Sequence, residues 1–393
     1  MNSSPNYRWL SVSIYAGAFV FGIVMASLGA LLPGLTAKIG FDKEAAGGLF
    51  LFMNLALLIG SLIFGPICDR FGFRFVLTIS TALVGGAFLG VASVSSYRSM
   101  AVALAILGLG GGALNGGTNA LLNDISRERR GAALNYLGIF FGFGALLTPL
   151  LLGALREALG LERIILLLSF LSLIPLALFL LVRFPLPKHE AGLPAGQLAA
   201  FLKNPLLYLF GFLLFFQSGN EFAVGGWLST YFPERFQTGA NQAAFFLSGY
   251  WAAIMAGRLL AGWLSAKVRP EALVAGSALL ALLAMVALLI APSPAVAAMA
   301  AMGIGLGFAA IFPTTLAQAG GVFTEFSGTA FSVIFVIALT GGMTAPWLVG
   351  QIAQARSVET GMTLVVFNCA MIALLQGIIY LRVRRRGEEI QQD

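Results

Sequence analysis

Charge is scarce in this sequence. Asp, Glu, Lys and Arg make up 10% of the 393 residues, against about a quarter in ordinary soluble domains, while mean hydropathy reaches +0.92. A water-soluble globule is therefore excluded. Histidine is almost missing, His189 being the one copy, and the two cysteines, Cys68 and Cys369, have no disulfide or metal-ligand spacing. No nucleophile–base pair and no cluster of metal-ligating side chains can be assembled from what remains, which disfavours an enzyme and leaves no cofactor to expect. A phosphate-cradling glycine loop of the ATPase kind is also lacking, so any work the protein performs must draw on a gradient.

The sequence does contain long apolar runs. Windows of about 20 uncharged residues suit α-helices crossing a hydrocarbon layer roughly 30 Å thick, and they are too long to alternate like the strands of a membrane barrel. The runs predict twelve helices, near 8–33, 45–67, 75–95, 99–122, 131–155, 164–182, 206–232, 242–266, 271–291, 295–319, 327–350 and 360–382. The fold class is thus an all-α integral membrane protein with residues 1–182 as a first six-helix bundle and 206–393 as a second bundle with a tail. Pro185, Pro187 and Pro194 mark 183–205 as a linker.

Net charge is +7, but its distribution matters more than its size. Twelve spans with both ends on one side place fifteen of the 23 Lys and Arg on that side, among them Arg70, Arg74, Arg127, Arg183, Lys267 and Arg382. By the positive-inside rule that side is cytoplasmic, in a cytoplasmic membrane, with both termini inside. The excess of positive charge accordingly predicts contact with anionic lipid and not with nucleic acid.

A shift of 197 residues carries Gly65-Pro66-Ile67-Cys68-Asp69-Arg70 onto Gly262-Trp263-Leu264-Ser265-Ala266-Lys267. The same shift takes Glu128 to Glu325, Gly131 to Gly328, Gly144 to Gly341, Pro149 to Pro346 and Gly153 to Gly350. Glycine and proline carry much of this match, so the chain reads as two copies of one backbone unit.

The first hairpin, Gly65-x-x-x-Asp69-Arg70-x-Gly72-x-Arg74, resembles the loop signature of the major facilitator superfamily. The second copy, Arg258-x-x-x-Gly262-x-x-x-Ala266-Lys267, departs from it where Ala266 replaces the acid. The resemblance implies two six-helix bundles that alternate access to a central cavity, with Asp69, Arg70, Arg74 and Arg258 as gating residues. Within the superfamily, Asn115-Gly116-Gly117-Thr118-Asn119 and the run Asn220 to Tyr231 are similar to fucose permease-like and sodium-glucose porters. The acids those proton symporters use in their first and fourth helices have no counterpart here.

Glu221 is the one acid well inside a predicted span. Since an ionised carboxylate in hydrocarbon is costly, such a residue faces an interior or a cavity, and it is the candidate for ion coupling, with a structural hydrogen bond or a cation site as rival readings. Gln217 and Glu221 lie one turn apart, and Asn220, Trp227 and Tyr231 share an adjoining stripe. An indole beside amides suits a sugar, because the ring covers C–H faces while amides exchange hydrogen bonds with hydroxyls. Trp227 and Tyr231 also fit interfacial anchors, the better reading for Tyr231. Gly225-Gly226 permits either a bend or close helix packing.

Asn115, Thr118 and Asn119 form a second polar stripe, and Thr314, Thr315 and Gln318 beyond Pro313 a third. The resemblance directs all three towards the cavity, with interhelical adhesion as the alternative. Asn54 reads as adhesion. Arg258 either snorkels to the interface or forms an ion pair at a gate. Gly144-x-x-x-Thr148-Pro149 imperfectly resembles the glycine-proline motif of drug antiporters.

These features together predict a secondary transporter for a small neutral hydroxylated solute such as a sugar, driven by H⁺ or Na⁺. Export of amphipathic compounds, suggested by 33 Phe and the Gly144 motif, is the alternative, and a sensor that kept the fold without transport is a third. No obligate protein partner is implied.

Overall fold

The computed structural model describes residues 7–125, 130–185, 202–323 and 327–390, all but the short connections being helical. The helices are α1 (Tyr7–Ile39), α2 (Lys43–Ser93), α3 (Tyr97–Ile125), α4 (Arg130–Leu181), α5 (Pro205–Phe236), α6 (Ala240–Leu264), α7 (Pro270–Leu289), α8 (Pro294–Val322), α9 (Ser327–Ala355) and α10 (Val358–Ile390). All ten contain a stretch apolar enough to cross a membrane. The basic loop at 126–129, with Arg127 and Glu128, lies outside the described residues, as do most of the linker, with Lys188 and His189, and Glu325.

Among the described residues, ten helices stand where twelve were expected, because two pairs of expected spans are continuous. α2 has 51 residues and α4 has 52; at ~1.5 Å per residue a straight helix of that length would reach ~77 Å, over twice the hydrocarbon thickness. Each is broken by one glycine with positive φ, Gly72 (φ 81°, ψ 163°) and Gly160 (φ 76°, ψ 165°). Only glycine adopts such angles without strain, so one residue turns the chain while its neighbours stay helical. α2 folds back: the Tyr97 hydroxyl, just past its end, donates to the Ala45 carbonyl near its start at 3.1 Å. α4 does the same, since Phe141 and Phe179 both approach one stretch of α1, at Gly22 and Gly17.

Helix starts follow local chemistry. Asp42 caps α2 by accepting from the Ala45 amide at 2.8 Å, and Ser293 caps α8 ahead of Pro294, whose missing N–H is no loss in a first turn.

Two compact units result. Unit 1 comprises Met1–Glu190 with Gly225–Ser248, and unit 2 comprises Ala191–Val224 with Gly249–Asp393. The boundary thus falls within the linker sequence and also divides α5 at Gly225 and α6 at Gly249. In unit 1, α1 packs on α4 and α2 on α3, while in unit 2 α7 packs on α8 and α10. Glycines set the closest approaches, and they repeat: a Cβ on Gly144 would stand 1.9 Å from the Phe19 carbonyl oxygen, and one on Gly341 would stand 2.0 Å from that of Phe215. These two contacts, one per unit, give the duplication a physical meaning, since the same pair of helices touches through bare backbone in both copies.

The end of α5 and the start of α6 are tied into unit 1 by polar contacts. Lys43 Nζ pairs with Glu234 Oε2 at 2.6 Å, and Asn241 Nδ2 donates to Glu157 Oε1 at 2.6 Å. Apolar contacts reinforce them, with the Phe50 and Trp227 rings 5.9 Å apart. A Cβ on Gly29 would meet the Gly225 carbonyl oxygen at 2.2 Å. α5 runs unbroken through Gly225-Gly226, so this pair serves close packing and not unwinding.

Candidate functional site

Unit 2 holds a buried polar grouping on α5, α6, α8 and α10. The helical repeat puts Gln217 and Glu221 one turn apart, with Asn220 at their side. Glu221 Oε1 lies 3.6 Å from Nη2 of Arg258 on α6, the two side chains being 14% and 30% exposed. Gln217, fully buried, donates through Nε2 to the Phe308 carbonyl of α8 at 3.2 Å, and its amide also reaches the Glu221 side chain. Asn220, equally buried, donates through Nδ2 to Sγ of Cys369 on α10 at 3.4 Å. Tyr250 of α6 donates its hydroxyl to the backbone carbonyl of Glu221 at 3.3 Å. Of the two readings for Arg258, snorkelling or pairing, the structure has the pair.

Two acceptors in this cluster, Gln217 Oε1 and Asn220 Oδ1, accept no hydrogen bond. A buried polar atom left unpaired costs about 1–3 kcal/mol. The cluster thus holds two free acceptor oxygens beside a carboxylate–guanidinium pair. Nearby in sequence space on α8, Thr315 is buried with its hydroxyl unpartnered, Thr314 is half-buried, and Gln318 accepts from Gln376 Nε2 of α10 at 3.2 Å. Gln318 Nε2 and Gln376 Oε1 are unpartnered as well.

In unit 1, Asn119 Nδ2 donates to both the backbone and the side-chain oxygen of Asn115 at 2.9 Å. The Thr118 hydroxyl also reaches Asn115, donating to its backbone carbonyl at 3.0 Å. The same hydroxyl donates to the Leu114 carbonyl at 2.8 Å, and the Thr118 methyl lies against Gly17. Trp227 is fully buried beside Phe50. Tyr231 is a correction to the anchor reading: it is fully buried, with ring contacts to Phe232 and Phe236 at 5.8 and 6.2 Å, because the end of α5 is enclosed in unit 1 and does not face lipid. Asn54 bonds within its own helix, to the Phe50 carbonyl at 2.9 Å.

At the hairpin around Gly72, Asp69 is exposed and makes no ion pair among the described residues. Arg70 stacks on Phe71 at 5.2 Å, and Arg74 donates to the Leu180 carbonyl. The sequence reading gives Cys369 no role and does not single out Tyr250 or Gln376. Gln376 carries a usable signal, a polar residue in an otherwise apolar run, the pattern that marks Glu221.

The profile of the Major Facilitator Superfamily matches residues 14–346. This chain belongs to that superfamily. A "Putative glucose/galactose transporter" of Helicobacter pylori is 27% identical over 366 residues, covering 87% of this chain and 88% of its own length. The 4-hydroxybenzoate transporter PcaK of Acinetobacter baylyi is 29% identical over 192 residues, 48% of this chain and 41% of that protein. Among solved structures, a D-xylose-proton symporter superposes with a TM-score of 0.79 at 15% identity, covering 95% of this chain and 97% of that one, a likeness of fold. As a member of the superfamily the protein is a membrane transporter and not an enzyme.

Proposed function

We propose that this superfamily member is a secondary transporter of twelve membrane crossings, α2 and α4 each crossing twice, with both termini in the cytoplasm. It moves a neutral, hydroxyl-rich solute such as a sugar and couples that movement to H⁺ or Na⁺ through Glu221. The observation that carries this reading is the Glu221–Arg258 pair set among buried amides whose oxygens lack donors. Sugar hydroxyls supply such donors, and binding a proton or Na⁺ at Glu221 releases Arg258, so occupancy of the carboxylate and the arrangement of α5 against α6 change together. The full-length likeness to a protein named for glucose and galactose supports the solute class. Thr314 and Gln318, on α8 of the same unit, are further proposed solute contacts, and Asp69, Arg70 and Arg74 of unit 1 are proposed gating residues.

Uptake into proteoliposomes of radiolabelled hexoses and pentoses, under imposed pH or sodium gradients, tests the reading. The expected result is accumulation driven by one of the two gradients in the parent protein, and loss of that acceleration in Glu221→Gln with solute exchange retained. Gradient-driven uptake undiminished in Glu221→Gln removes the coupling role. Absence of transport for every sugar removes the solute class.

A further inference from the structure

We infer that the end of unit 1 opposite the Asp69 hairpin carries a binding site for a phosphate-bearing anion, separate from the transport cluster. A recess of about 690 Å³ opens there, lined by Gly34, Lys38, Arg156, Leu159, Arg163 and neighbours around the Gly160 turn. The recess is open to solvent on one side. Three cations share it with one anion, Glu162. Lys38 is engaged, with Nζ 2.7 Å from Glu162 Oε1 and donating to the Ala92 carbonyl at 3.1 Å. Arg156 and Arg163 have no hydrogen-bond or ion-pair partner among the described residues. Arg156 is half-buried, its Nη2 3.4 Å from where a Cβ on Gly34 would sit. A Cβ at position 34 would meet Leu161 first, at 2.8 Å, so the glycine lets Leu161 and Arg156 lie together against α1.

The positive-inside pattern makes this concentration unusual. The face expected to be poor in Lys and Arg has seven of them, and three line one recess. Guanidinium is the group suited to phosphate, since it offers forked donors and is weakly hydrated. The walls are mixed. Leu159 and Leu161 line it beside the arginines, and the recess lies at the end of α1 and at the Gly160 turn of α4, where two apolar stretches meet. A phosphodiester headgroup with its acyl chain along the leucines matches both characters; inorganic phosphate would use the arginines alone.

Thermal unfolding of the purified full-length protein in neutral detergent is followed with added phosphatidylglycerol, phosphatidylcholine or inorganic phosphate, and binding is read in parallel by native mass spectrometry. The expected result is stabilisation and retained adducts with phosphatidylglycerol but not phosphatidylcholine. Affinity should fall at least about tenfold in Arg156→Gln/Arg163→Gln, as loss of charge-assisted contacts predicts. Arg98→Gln, outside the recess, should behave as the parent, and Glu162→Gln, which removes the competing carboxylate, should bind more tightly. If inorganic phosphate reproduces the effect with the same arginine dependence, the site holds and its ligand is the soluble anion. Equal lipid affinity in parent and double variant, or no binding of either phosphate source by the parent, overturns the assignment. Because both arginines are solvent-accessible, the parallel binding readout separates loss of ligand from loss of fold.

Discussion

Glu221 and Arg258 stabilise each other across two helices, and their worth is asymmetric. Removing one partner of a largely buried pair leaves the other charge uncompensated, at about 3–5 kcal/mol, whereas removing both is often nearly neutral. With Arg258 30% exposed, Arg258→Gln should fall at the lower end, about 3 kcal/mol. Arg258→Gln is therefore expected to melt well below the parent in detergent and Glu221→Gln/Arg258→Gln to recover most of the loss, as measured by a double-mutant cycle of unfolding midpoints. A double variant no more stable than Arg258→Gln would mean that the two side chains are not energetically coupled. Much of this site was legible in advance: an acid in an apolar run must have an interior reason. Its partner was not, because whether an arginine two turns from a helix end snorkels or pairs depends on which helix lies alongside.

At the level of elements, glycine has two separate tasks here, and substitution distinguishes them. A Cβ at Gly341 meets the Phe215 carbonyl oxygen at 2.0 Å, a backbone contact that cannot rotate away, so Gly341→Ala should separate α5 from α9 and destabilise unit 2 by about 1–3 kcal/mol. Gly144→Ala should do the same to α1 and α4. Gly276, with nothing within 4 Å, is the control: Gly276→Ala should be neutral or gain up to about 1 kcal/mol of helix propensity. Gly160 also has open space around it but φ is 76°, so Gly160→Ala should cost about 1–3 kcal/mol through backbone strain alone. Thermal unfolding of the four variants side by side checks this ordering. The predicted break between two spans at this turn shows why an expected loop can vanish: hydropathy detects a polar interruption, yet one residue of unusual φ reverses a helix without any loop.

For the whole molecule, α5 is divided between the two units at Gly225. Residues 225–248 pack with the N-terminal half through the Lys43–Glu234 pair and the Glu157–Asn241 hydrogen bond. Any step of transport that moves residues 225–248 away from the N-terminal half breaks them. Lys43→Cys/Glu234→Cys bridged by a short bis-thiol reagent should therefore arrest solute uptake, with activity returning on release of the reagent; the native Cys68 and Cys369 are buried and should not interfere. Uptake that continues in the fully bridged protein would show that these residues stay together throughout the cycle. The sequence alone determined the all-helical membrane class, the duplication, the hairpin at Asp69 and the interior status of Glu221, because these depend on composition, on a 197-residue shift and on the desolvation cost of a single side chain, all local or additive properties. Tertiary structure decided the rest: that Asn220 meets Cys369 from 149 residues away, that Tyr231 is enclosed, and that Arg258 faces Glu221. Such partners are set by which helix faces pack together, and a chain read one residue at a time does not contain that choice.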